Sequence, residues 1–296
     1  MKYHQTPSAV VNRDFFVTRA VLLSSTVLVV LGFILAFDIK SAEAVDARPV
    51  SSDFRYTFNS EGVLLETGSM GESSSPYFWL NSGGKFIIKD GIGQTISGKL
   101  SSSDPFRVLY ERSNSLDTED GYRPQNIFRF LTRSEWGNAE QEMSFRITAQ
   151  NFANSPNRDG HNGVLLINRY QDSNNLYYAG IRNDGQAVIK KKINGTYHTL
   201  ATVQIFGVKG KYNRNSLPTL LPYSAWMRMK TQVINQSDGS VYIRLLIDRE
   251  NDGSFVSILS ARDHGTGGTP LREDGYAGIR TDFMDVEFGK YNIKAF

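Results

Sequence analysis

The chain has 296 residues, 40% of them hydrophobic and 12% aromatic, which is ample for a packed core in a single all-β domain. Its 33 Lys and Arg stand against 30 Asp and Glu. The formal charge of +3 is too balanced for a nucleic-acid binder, whose affinity rests on concentrated positive charge. The chain has no cysteine, which removes disulfides, thiol catalysis and thiolate metal sites together.

The first feature in chain order is apolar. Ala20 to Phe37 runs without a charge between Arg13 and Arg19 on one side and Asp38 and Lys40 on the other. Ala42-Glu43-Ala44 then supplies the small-x-small pattern of a signal-peptidase site. The run is longer than the usual signal core and close to the minimum for a spanning helix. It predicts an N-terminal hydrophobic helix, either a cleaved signal peptide or an uncleaved membrane anchor, with 1–47 as leader and short linker. The domain at 48–296 is then expected outside the cytoplasm, extracellular or at the cell surface. It would touch a membrane only through the N-terminal segment, if that segment is uncleaved.

Beyond residue 48 strand signals dominate. Ser51 to Phe58 alternates weakly, and Gly62 to Gly71 reads as a turn-rich connection. The aromatic run Tyr77 to Leu80 ends in Asn81-Ser82-Gly83-Gly84, and Phe86-Ile87-Ile88 leads into the hairpin pair Asp90-Gly91. Phe106 to Tyr110 reads as a short strand and Ser113 to Pro124 as a long polar loop. Asn126 to Thr132 and Glu142 to Ala149 both alternate well. Val164 to Tyr170, Leu176 to Arg182, Ala187 to Ile193 and Tyr197 to Val203 then read as a meander. Within it, Lys190-Lys191-Lys192 is expected to be a solvated strand, with Lys191 facing away from its two neighbours. Ala225 to Ile234, Val241 to Ile247 and Phe255 to Leu259 are separated by Asx-Gly turns, and the glycine-rich loop His264 to Gly268 precedes the closing strands. A dozen or more short strands with such turns predict an antiparallel sandwich or closed barrel.

One phrase is written twice. Tyr178-Ala179-Gly180-Ile181-Arg182-Asn183-Asp184 returns as Tyr276-Ala277-Gly278-Ile279-Arg280-Thr281-Asp282. Alternation puts Tyr, Gly and Arg of each copy on one face and Ala and Ile on the other. The Ala/Ile face predicts burial. The Tyr/Gly/Arg face suits an elongated ligand, and the two copies are expected as strands of one curved sheet.

These strands also carry a resemblance. Gly275 to Asp282, followed by Asp285-Val286-Glu287-Phe288 and Tyr291-Asn292-Ile293, resembles the closing strands of concanavalin A-like lectin/glucanase jelly rolls. The stretch from Gly163 to Ile193 is similar to the central hairpin of that superfamily, which includes LamG-like domains. The resemblance implies an all-β antiparallel β-sandwich whose concave sheet binds or cleaves glycans. Fold alone does not choose between those two.

Candidate residues fall into three groups. For binding, Tyr178, Tyr276 and Trp136 offer aromatic surface to the C–H faces of a sugar, and Arg182 and Arg280 meet its hydroxyls, with Trp136 expected in a loop. For catalysis, Glu140 and Glu142 are spaced to share a strand face, as a glycosidase pair requires. They depart from the superfamily's Glu-x-Asp-x-x-Glu signature. Arg133, Glu135 and the Tyr177 to Gly180 segment resemble motifs of jelly-roll alginate lyases, with His161 as the nearby base. For metal, Asp248, Glu250 and Asp252 resemble the front of a calcium loop whose twelfth position is Leu259, and the resemblance adds Asp282 and Asp285 as ligands of a structural Ca²⁺. The function expected first is an exported module that binds a polysaccharide or surface glycan. A polysaccharide lyase or glycoside hydrolase using the same groove stands second, and a surface or adhesion protein third.

Overall fold

The computed structural model describes residues 53–296. The apolar run at 20–37, the Ala42-Glu43-Ala44 site and the expected N-terminal helix lie outside the described residues. In chain order the first elements are β1 (Asp53–Tyr56), β2 (Gly62–Leu65), β3 (Phe78–Ser82), β4 (Lys85–Lys89), β5 (Ile92–Thr95) and α1 (Pro105–Ser113). The middle of the chain gives β6 (Ile127–Trp136), β7 (Ala139–Gln150), β8 (Gly163–Asp172), β9 (Asn175–Arg182), β10 (Gln186–Ile193) and β11 (Thr196–Gln204). Last come β12 (Met227–Asn235), β13 (Val241–Asp248), β14 (Val256–Asp263), β15 (Gly275–Asp282) and β16 (Met284–Ala295).

Two of these elements differ from the sequence reading. Phe106 to Tyr110 lies in α1, where the Asp104 side chain caps the Phe106 amide at 3.0 Å and Pro105 takes the first turn. Arg107 and Glu111, one turn apart, add an ion pair at 2.8 Å. Gly62 to Leu65 is a strand and not a connection, because β4 offers it a partner.

Among the described residues, one nine-stranded sheet runs β14-β13-β12-β7-β16-β5-β4-β2, with β1 also paired to β16. The other, seven-stranded, runs β11-β10-β9-β8-β15-β6-β3. All pairings are antiparallel. Among the described residues the chain changes sheet eight times, the last three being from β11 to β12, from β14 to β15 and from β15 to β16. The last two strands insert into the middle of opposite sheets, and this interleaving makes the sandwich a jelly roll.

Alternation along each strand then fills the space between the layers. Phe130 stacks on Phe86 at 4.3 Å and on Phe78 at 4.4 Å between ring centres, with Phe128, Phe288 and Tyr291 around them. Ala179, Ile181, Ala277 and Ile279 of the repeated phrase join this core, as their face of the strand requires.

One expectation is corrected inside it. Lys191 is not solvated. It pairs with Tyr177 across the strands, on the inner face, and is fully buried. Its ammonium stands 2.8 Å from Asp263 and donates to the Gly268 carbonyl at 2.6 Å. The Tyr177 hydroxyl donates to the same Asp263 carboxylate at 2.6 Å and accepts from the Leu271 amide at 3.0 Å. Burial pushes the Asp263 carboxyl up, but Lys191, Tyr177 and the Gly265 amide together hold it below its ordinary value. Asp263 is thus ionised in the folded state more readily than in the unfolded chain. Its contribution is full above the unfolded value of about 3.9 and is lost as pH falls through the depressed folded one. Asp263→Ala leaves Lys191 charged and unpaired in the core, and chemical denaturation is expected to show a loss of about 3–5 kcal/mol.

Candidate functional site

The outer face of the seven-stranded sheet is built by the register of its strands. Leu131, Gly278, Ile167, Tyr178 and Lys190 lie opposite one another on successive strands β6, β15, β8, β9 and β10. Arg129, Arg280, Leu165, Gly180 and Val188 form the next such row. The floor is apolar. Leu131, Leu165, Ile167, Tyr170, Leu176, Tyr178 and Val188 form a second cluster, separate from the main core, with Trp79 and Tyr276 packed against it.

The two glycines of the repeated phrase have a steric reason. A Cβ on Gly180 would stand 2.3 Å from the Val164 carbonyl oxygen, and one on Gly278 would stand 2.2 Å from that of Phe130. Both distances are closer than real side chains permit, so the strands approach here only because Cβ is missing. Without side chains at these two positions, the Arg280 side chain has room to lie across the floor.

Arg280 does so. It reaches over β8 to β9, and its guanidinium carbon lies 5.3 Å from the centre of the Tyr178 ring. One nitrogen, Nη1, donates to the Tyr178 hydroxyl at 3.1 Å and to the Tyr197 hydroxyl at 3.2 Å. Its Nε donates to Asp282 at 2.9 Å. The two phenol rings stack at 6.1 Å with 25° between planes. Burial works against the Arg280 charge, and Asp282 with the two phenols overcomes it, so the guanidinium is held ionised.

The phenols respond differently. Burial raises the Tyr178 hydroxyl above its ordinary value, with Arg280 opposing. Burial also acts on Tyr197, but the Arg280 charge, its hydrogen bond and Lys192 outweigh it, and this phenol is lowered. The expectation that Tyr178 offers its ring to a ligand is corrected: it is 2% exposed, packed in the floor under Arg280, while Tyr197 is 46% exposed. Sequence reasoning missed Tyr197. Its only signal was its place at the start of β11, two residues after an Asn-Gly turn and opposite Lys192.

The other expected binding residues divide. Arg182 lies on this face but is buried and closely paired with Asp184, two residues along. Tyr276 is half-buried on the same face beside Glu135. Trp136 is corrected: it ends β6 with its indole in the inter-sheet core and 5% exposed, because alternation turns it inward from Glu135.

The catalytic candidates do not assemble here. Glu140 and Glu142 do share a face, but it is the outer face of the nine-stranded sheet. There Lys230 lies 2.8 Å and 3.4 Å from their carboxylates, and Gln232 donates to Glu140 at 2.7 Å. They border a shallow depression of about 390 Å³ on that side of the sandwich. Arg133 donates to the Ser75 carbonyl at 2.8 Å, and the exposed His161 faces Asp159 at 3.1 Å in a loop ahead of β8.

The five metal candidates do not converge. Asp248 accepts from the amides of Asp252 and Gly253, and Asp252 accepts from that of Ser254, in a hairpin turn whose Glu250 is exposed. Asp285 accepts from the Gly98 amide at 2.7 Å, from Gln125 at 3.0 Å and from Asn151 at 2.9 Å. Its oxygens therefore face N–H donors that a cation would have to displace, while Asp282 belongs to Arg280. Among the described residues, no group of three or more His, Cys, Asp or Glu is arranged to hold a metal ion.

No protein-family model matches the sequence, and a search of curated proteins finds no match. Solved structures do match in shape. The carbohydrate-binding module CBM66 of Bacillus subtilis superposes with a TM-score of 0.45 at 11% identity, covering 74% of this chain and 95% of its own. The β-glucanase of Bacillus licheniformis gives 0.43 at 10%, covering 84% and 100%. The exoplasmic domain of VIP36, in its Ca²⁺/Man3GlcNAc-bound form, gives 0.42 at 9%, covering 79% and 90%.

A spectrophotometric pH titration tests the phenol pair. One tyrosine is expected to ionise below the ordinary value of about 10. That step disappears in Tyr197→Phe and moves upward in Arg280→Gln.

Proposed function

We propose that the outer face of the seven-stranded sheet binds a glycan. The observation that carries this reading is the Arg280 guanidinium spanning two stacked phenols above an apolar floor. A sugar ring presents a C–H face and a rim of hydroxyls. Tyr197, Tyr276 and Trp79 suit the former, and Arg280 and Asn81 suit the latter, with buried Tyr178 and Asp282 fixing Arg280 from below. The run of residues from β3 to β11 crosses all seven strands, at about 4.8 Å per step, and so matches an extended chain better than a compact ligand. We place the binding outside the cytoplasm, on the leader pattern of the first 47 residues. Recovery of the chain in the cytoplasmic fraction of its cell would remove that part.

The lowered Tyr197 phenol favours one second reading, a polysaccharide lyase in which Tyr197 takes the proton beside a uronate carboxylate. Incubation with polyuronates separates the two readings. Unsaturated chain ends that vanish in Tyr197→Phe indicate a lyase, and retention without products indicates binding alone.

The binding reading is tested by calorimetry on whichever glycans an immobilised panel retains. Arg280→Ala and Tyr197→Ala are each expected to weaken binding tenfold or more, about 1.4 kcal/mol. Glu140→Gln, on the other side of the sandwich, is expected to leave it unchanged. Equal losses from both faces would overturn the assignment of the site.

A further inference from the structure

The charges of this face are unequal in their partners. Arg182 and Arg280 each hold a carboxylate, Asp184 and Asp282. Three other cations hold none within ion-pair distance among the described residues. Arg129 donates to the neutral Asn81 side chain at 3.0 Å and lies 5.9 Å from the Tyr170 ring, with its buried Nε lacking any hydrogen-bond partner. Lys192 donates to the Ser173 carbonyl at 2.8 Å and sits 4.8 Å from the Tyr197 ring centre. Lys190 lies 5.9 Å from the same centre, half-buried, on the strand position opposite Tyr178.

These cations crowd others of the same sign. Arg129 is register-paired with Arg280, its field also reaching the Asp282 carboxylate that Arg280 already holds. Lys190 feels both Arg182 and Arg280, opposed by the Tyr197 phenol and then by Asp159 of the neighbouring loop. Burial first, and Arg182 second, lower the Lys190 ammonium, which is the mark of a cation without a counter-ion. The lowered Tyr197 phenol reports the same positive field. Like charges gathered over a partly desolvated floor repel one another unless an anion joins them.

We infer that the glycan taken by this face is anionic, its carboxylate or sulfate groups being bound by Lys190 and Lys192 at one end and by Arg129 at the other. This rests on the glycan reading above and deepens it. The two ends are four strands apart, about 19 Å. A single sugar cannot satisfy both, so the ligand is an oligomer or polymer.

Calorimetry with the full chain tests this on a matched set. The set is a uronate oligosaccharide, the same oligosaccharide with its carboxyls reduced to alcohols, a sulfated neutral oligosaccharide and single-stranded DNA of similar charge. The uronate or the sulfated oligomer is expected to bind at least tenfold more tightly than the reduced one, and whichever of the two is tighter identifies the anion. In Lys190→Gln/Lys192→Gln, and separately in Arg129→Gln, that preference is expected to shrink toward parity and its salt dependence to flatten. Thermal unfolding of each variant shows whether the sandwich persists. Equal binding of the charged and reduced oligomers would overturn anion selectivity while leaving glycan binding intact. Failure of every oligosaccharide to bind would overturn both. DNA binding as tight as the tightest sugar would replace the proposal with a general polyanion surface.

Discussion

A single guanidinium reaching across one strand organises the seven-stranded face. Arg280 starts on β15, passes over β8 and ends between two phenols from β9 and β11. Strand β15 is thereby joined to the sequence-distant β9 and β11 on their outer side, where a sheet has no backbone bonds to offer. The reach is possible because Gly278 and Gly180 let neighbouring strands close up and leave the floor low. Asp282, two residues on and on the same side, sets the direction of the arginine and keeps it charged. Residue, strand spacing and electrostatics here form one unit.

The same phrase in its first copy behaves otherwise. Arg182 points to Asp184 and is closed off. The two copies are chemically alike, and their surroundings separate them. The second copy lies between β8 and β6, and the first between β10 and β8, under the loop that carries Asp159. Equal words in a sequence thus acquire unequal roles from their neighbours in space.

Much of the architecture was legible from period-two alternation and Asx-Gly turns, because those signals are local. The inward Ala/Ile pairs and the outward Tyr and Arg of the repeat follow from alternation alone. What was not legible depends on partners distant in the chain. Lys191 looked solvated since nothing nearby announces Asp263, which ends β14, far along the sequence but adjacent in the core. Phe106 to Tyr110 has the composition of a strand, and only the Asp104-Pro105 start marks the helix. Trp136 looked like a loop residue because β6 runs farther than its alternating segment. Glu140 and Glu142 were correctly placed on one face, but sequence cannot say which sheet that face belongs to. Tyr197 had no signal of its own beyond register with Lys192.

The crossover from β14 to β15 carries three glycines in the five residues His264 to Gly268, a composition associated with slack. Its backbone is nevertheless held from below. Asp263 takes the Gly265 and Thr266 amides, Lys191 takes the Gly268 carbonyl, and Tyr177 takes the Leu271 amide. Each anchor ends on a group fixed in the interior. These anchored points can therefore loosen only when the two layers part, and the amide protons of Gly265, Thr266 and Leu271 should exchange with solvent on the timescale of global opening, not of local fluctuation. At this hinge between sheets, glycine content measures how tightly the chain must bend and says little about how much it moves.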